Sequence, residues 1–269
     1  MRPREFDVGE FARTARGSLR DELDLTALRA ARLAPELVTV IETLRELEGA
    51  TMAHLRNVLV TPTHKDARVT AFLVTWAFEK FWIADALGAV VDASGGATST
   101  DDRTDVATPR RGIRRGRGPV RRALAGFTQG ESIVGAHTTL GLVDDWMLAD
   151  VYEQLSARAG CDALAATVET IRTAKARHTA FFDEESRRRL TASPRASRLA
   201  RRELRRSTWP LGAHVVDPER RRSLARFTWS GAGGADRLAS LEHRIAALPG
   251  IGTSGAAAVG ASLARDASD

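Results

Sequence analysis

The chain predicts an all-α fold, on three observations. Apolar residues recur at steps of three and four over long stretches, the spacing of one helix face. Pro- and Gly-containing breaks separate those stretches. No alternating β-type run is present beyond a few residues around Val215-Val216. With 43% hydrophobic and 28% charged residues over 269 positions, the composition is that of a globular protein with a sizeable core. A single Cys excludes an internal disulfide framework and fits a reducing compartment. The N-terminal stretch has no apolar signal region and no apolar run is long enough to span a bilayer, so the expected location is cytoplasmic. A net charge of +6 permits an acidic partner, but spread over this length it is not a footprint by itself.

Residues 1–35 read as a loose, charged N-terminal arm with a short helix near 19–30. Residues 36–92 read as a first helical pair. Pro35 suits a first helical turn, and Leu37, Val40, Ile41, Leu44, Leu47, Met52, Leu55 and Val58 keep helical period until Thr61-Pro62-Thr63 breaks it. The second helix of the pair covers about 66–91, with an inner stripe of Val69, Phe72, Trp76, Glu79, Ile83, Ala86 and Val90. Residues 93–119 are Gly/Ser/Thr-rich and then Arg-rich, with almost nothing to bury, and read as a flexible crossover linker. Residues 120–191 form a second pair, with helices at about 130–159 and 162–190 joined at Ala159-Gly160. Their stripes are Leu140, Asp144, Met147, Val151, Leu155 and Val168, Ile171, Lys175, His178, Phe182. Residues 192–269 read as a C-terminal appendage of shorter helices, near 197–206, 217–228, 235–248 and 256–265. Asp217-Pro218-Glu219 is a strong helix start: a capping acid, then Pro at the first helical position.

Polar residues on otherwise apolar stripes need a reason, because an unpaired buried charge costs several kcal/mol, roughly. Glu48 lies on the Ile41–Leu44–Met52–Leu55 side of its helix, and Glu79 follows 31 positions later. Asp144 and Lys175 are separated by the same 31 positions. Each second member has a further inward group three residues on, Trp82 after Glu79 and His178 after Lys175.

Two helical hairpins, a long crossover and this repeated spacing resemble the ferritin-like di-iron carboxylate superfamily. Ala176-Arg177-His178 followed by Phe181-Phe182 fits that context, and the resemblance covers about residues 36–190. It implies a ferritin-like four-helix bundle with a crossover linker and extra C-terminal helices. It also implies metal ligands at Glu48, Glu79, Asp144 and His178. Two positions depart from the pattern. Trp82 stands where a metal-binding His is expected, and Lys175 replaces a bridging Glu. Two irons need about six ligand groups, and four remain.

The leading expectation is a degenerate site in a binding or structural protein, with Lys175 supplying the lost positive charge and Trp82 filling the vacated volume. The alternative is a single Fe or Mn ion held by the three carboxylates and His178, in a metal-dependent oxidoreductase. Plainer readings stand beside these. His178 is equally an ordinary core histidine, and Asp145, on a Leu148–Tyr152 stripe, competes with Asp144 for the inward position.

A different class of function is raised by Leu248-Pro249-Gly250-Ile251-Gly252, which resembles the turn of helix-hairpin-helix DNA-binding modules. Gly250 and Gly252 would let the backbone approach a phosphate, with the linker arginines Arg110, Arg111, Arg114, Arg115 and Arg117 adding charge. The plain reading is a turn that docks a C-terminal cap, with Ile245, Leu248 and Ile251 inward. Two partner classes are therefore open, nucleic acid and a second copy of the chain as a homodimer.

Overall fold

The computed structural model describes residues 5–95 and 130–268. Those residues are mostly helical, with no strand among them. In chain order the elements are α1 (Val8–Arg13), a 3-10 turn (Arg20–Glu22), α2 (Leu25–Ala31), α3 (Pro35–Gly49), α4 (Thr51–Leu59), a second 3-10 turn (Pro62–Lys65) and α5 (Ala67–Ala93). Then come α6 (Ser132–Ala157), α7 (Asp162–Ala192), α8 (Pro194–Arg206), α9 (Pro218–Trp229), α10 (Gly234–Ala246) and α11 (Gly252–Ser268). Most of the predicted linker, with Arg110, Arg111, Arg114, Arg115 and Arg117, lies outside the described residues.

Local chemistry sets the helix starts. The side chains of Asp24, Asp66, Ser193 and Asp217 each accept a backbone N–H of the first turn that follows. Proline occupies the first turn of α3, α8 and α9, where its missing N–H costs nothing.

Four helices meet around one centre. α3 runs antiparallel to α5, with Glu48 reaching Lys80 and Arg45 lying on Gly88. α5 packs on α7, where Phe72 stacks on Phe181 at a centroid distance of 3.7 Å. α7 packs on α6 so closely that a Cβ on Gly141 would lie 2.7 Å from the Phe182 ring. α6 returns to α3 through Tyr152, whose hydroxyl donates to Glu48. On its other sides α6 is covered by α8, α9 and α10. Every residue from 133 to 148 except His137 is consequently buried.

The structure corrects three expectations. The arm is not loose: Phe11, Leu19 and Leu28 are buried, and the rings of Phe6 and Phe11 pack edge-on or stacked against Phe72. The apolar run 36–58 is two helices that share Ala50 as cap. They divide after Gly49, a weak helix former, where the loop residue Gly212 packs against Ala50. The last helix is longer than 256–265, because the stretch from Gly252 onward is already helical. The C-terminal helices pack on the long ones, with Leu204, Trp209, Leu224, Phe227, Leu241 and Val259 in the same core. No helix is long and apolar enough to cross a membrane among the described residues.

Candidate functional site

The centre enclosed by α3, α5, α6 and α7 is ionic. Glu48 on α3, 0% exposed, takes a different lysine on each carboxylate oxygen. Lys80 Nζ from α5 lies 2.8 Å from Oε2, and Lys175 Nζ from α7 lies 3.1 Å from Oε1. Tyr152 on α6 donates its hydroxyl to Oε1 at 3.0 Å. Lys175 also donates to Asp145 Oδ1 at 3.2 Å. Aromatic faces hold the ammonium groups as well, with Lys80 Nζ 5.1 Å from the Trp76 centroid and Lys175 Nζ 5.9 Å from that of Tyr152.

Charge balance decides the protonation of this cluster. Burial pushes the Glu48 carboxyl up, but Lys175 and Lys80 outweigh it and hold it down at about 2. Burial likewise lowers Lys175, and Asp145, Glu48 and Asp144 more than reverse this, so the amine stays charged well above neutral pH. The Tyr152 hydroxyl is raised well above its usual value, by burial and then by Glu48, and stays a donor.

Glu79 and His178 form a second pair beside the first. His178 Nε2 lies 2.7 Å from Glu79 Oε2. Burial lowers the imidazole despite the pull of Glu79, so it is held neutral with Nε2–H donating. The other oxygen of Glu79 accepts the backbone N–H of Arg16 at 2.7 Å and lies 3.6 Å from the Arg177 guanidinium. The arm thus closes over this pair, and Arg177 fastens it by donating to the carbonyls of Phe11 and Thr14.

Asp144 takes its hydrogen bond from the backbone and not from Lys175. Its Oδ1 accepts the backbone N–H of Leu211 at 2.7 Å, in the loop between α8 and α9. Burial pushes its carboxyl up to about 7, against the partial opposition of Lys80. Further out, His137 accepts or donates at Nδ1 with Thr63 Oγ1 at 2.9 Å. Desolvation pushes His137 down to about 3, helped by His54, and pushes His54 down to about 4, helped by Lys80 and His214.

Of the residues singled out in the sequence, Glu48, Glu79, Asp144, Lys175 and His178 are all buried on the facing sides of the helices. They do not share one set of contacts. Glu79 meets His178, Glu48 meets Lys175, and Asp144 meets a loop N–H. Asp145, on the competing stripe, is the aspartate that reaches Lys175. Trp82 is half-buried and makes edge contacts with Phe78 and Phe81, both substantially exposed, so it fills no central volume. That place belongs to Lys80, which no apolar stripe singles out because it adjoins Glu79. Two neighbours on a helix, about 100° apart, are both buried only where the helix has partners on two sides, as α5 has in α3 and α7.

The metal pair implied by the resemblance does not fit these residues. Among the described residues no group of three or more His, Cys, Asp or Glu side chains is placed to hold a metal ion. His178 Nδ1 and Asp145 Oδ2 are buried without a hydrogen-bond partner among those residues, but they are only two donor atoms, and the carboxylates around them already face two ammonium groups.

The C-terminal turn is placed as a docking element. Ile245, Leu248 and Ile251 are buried. Gly250 has a φ of +71°, and a Cβ there would lie 2.7 Å from Ser197 on α8, so its glycine serves packing. Gly252 is open, with nothing within 4 Å of its Cβ position. Arg114 and Arg115 lie outside the described residues. Comparison of the chain with family models, with curated proteins and with solved structures gave no match.

Proposed function

We propose that the chain is a ferritin-like protein in which an ion-paired lysine–carboxylate network replaces the di-iron centre. On this reading it acts as a binding or structural protein through its surfaces, and not as a metal oxidoreductase through its core. The observation that carries the reading is Glu48 clamped between Lys80 and Lys175 at the meeting point of four helices. A cation entering there would have to displace two ammonium groups that already neutralise the carboxylates. The closed circuit of contacts from α3 to α5, α7, α6 and back supports the ferritin-like plan.

Metal analysis of protein purified from medium supplemented with iron and manganese tests this. The wild type is expected to carry far less than one ion per chain. The Lys80→Met, Lys175→Glu double variant frees Glu48 and adds a carboxylate three residues before His178, and serves as the comparison. Stoichiometric iron or manganese in the wild type would overturn the proposal.

A further inference from the structure

α8 carries six arginines and one glutamate in thirteen residues. Its apolar side, Ala196, Leu199, Ala200 and Leu204, is buried in the core, so the arginines lie along the opposite side. On the end of α7 just before it, Arg187, Arg188 and Arg189 are paired with Asp183, Glu185 and Asp66. On α8, Arg202 pairs with Glu203 and Arg195 is also engaged. Arg198, Arg201, Arg205 and Arg206 face no carboxylate among the described residues. Arg198 and Arg201 border an open depression floored by Ser197, Pro249 and Gly250. The adjoining first turn of α11 contains no acid.

We infer that this arginine face of α8 binds the phosphodiester backbone of nucleic acid without reading its sequence. Four unneutralised guanidinium groups on a rigid helix are held together at a cost in mutual repulsion that a polyanion removes. Positions 198, 201 and 205 recur once per turn, so a line of phosphates meets them in succession. The guanidinium fork takes two phosphate oxygens at once, which a lysine face would not do. An anionic bilayer is the weaker partner, because a helix lying in a membrane surface inserts an apolar face, and that of α8 is committed to the core. The inference does not rest on the nature of the ionic core.

Fluorescence anisotropy with a labelled short DNA duplex, and with the matching single strand, tests the inference. The full-length wild type is compared with the quadruple variant R198Q/R201Q/R205Q/R206Q, with helicity and melting checked by circular dichroism. Arg172→Gln, which removes an exposed arginine in mid-α7, controls for net charge. The wild type is expected to bind with an affinity that falls linearly on a log–log plot between about 50 and about 200 mM salt. The quadruple variant should bind about tenfold or more weakly, and its salt slope should be smaller by about 3 to 4. If that variant does not fold, the single changes Arg205→Gln and Arg206→Gln at exposed positions should each reduce the slope by about 1. Absence of binding to either DNA at about 25 mM salt would overturn the inference. So would an unchanged slope in the variants, or an arginine-dependent interaction confined to phosphatidylglycerol vesicles.

Discussion

Asp144 is the residue at which burial and charge come closest to balance. Its carboxyl is raised from 3.8 to about 7, mainly by burial, so between those values the folded chain holds a proton that the unfolded chain has released. Its contribution to stability is therefore full below about pH 4 and is lost as pH rises through about 7. Asn keeps an oxygen for the Leu211 N–H and removes the titration. The advantage of Asp144→Asn over the wild type in thermal melts should grow between pH 5 and pH 8, by on the order of 2 to 3 kcal/mol. Equal effects at both pH values would show that Asp144 is not the group responsible. His54 and His137 act in the opposite sense. They are depressed below 6.5, so their stabilisation is lost as pH falls through about 4 and about 3, and this acid limb should survive in the Asn variant. At this scale the sequence was legible where a polar residue interrupted one clean stripe, as Glu48, Glu79, Lys175 and His178 do. Lys80 and Asp145 were hidden or ambiguous because each is the neighbour of another buried ionisable residue, and a stripe selects only one of two adjacent positions.

Between elements, the closest approach is that of α6 to α7 at Gly141. Alanine there would gain about 1 kcal/mol of helix propensity, but its methyl would sit 2.7 Å from the Phe182 ring. That ring is boxed in by Phe72, Trp76 and Phe181 and has nowhere to move. Gly141→Ala should therefore lower stability by about 1–3 kcal/mol in a denaturant titration, whereas a gain would mean that the two helices are further apart. Helix existence and most helix ends could be read from period and caps, as Asp66, Asp217 and Pro35 show. The division at Ala50 could not. Both halves keep the same apolar period, and the break coincides with packing from a loop some 160 residues distant in sequence.

Across the whole molecule, the N-terminal arm covers one side of the core that the long helices enclose. Sequence periodicity hid this, because its apolar residues are single anchors on short elements and not a stripe. Phe6 and Phe11 cover Phe72 and Phe181, Arg68 donates to the Phe6 carbonyl, and Arg16 supplies one of the hydrogen bonds of Glu79. The arm brings little structure of its own, since α1 has six residues, so its order depends on the surface beneath it. Removing residues 1–17 should leave the long helices folded, because the α3, α5, α6 and α7 contacts do not pass through it. The cost is set mainly by the uncovered aromatic surface, about 3–5 kcal/mol for two phenylalanine side chains and their partners. The truncated chain should keep its helical circular dichroism, unfold at lower denaturant and bind an apolar fluorescent dye that the intact protein excludes. His178 gives an independent reading: with Glu79 deprived of the Arg16 N–H, the carboxylate bears more heavily on the imidazole, and the His178 pKa should move upward toward its usual value in an NMR titration. A truncated chain with unchanged stability and no dye binding would mean that the arm lies on the core without adding to its cover.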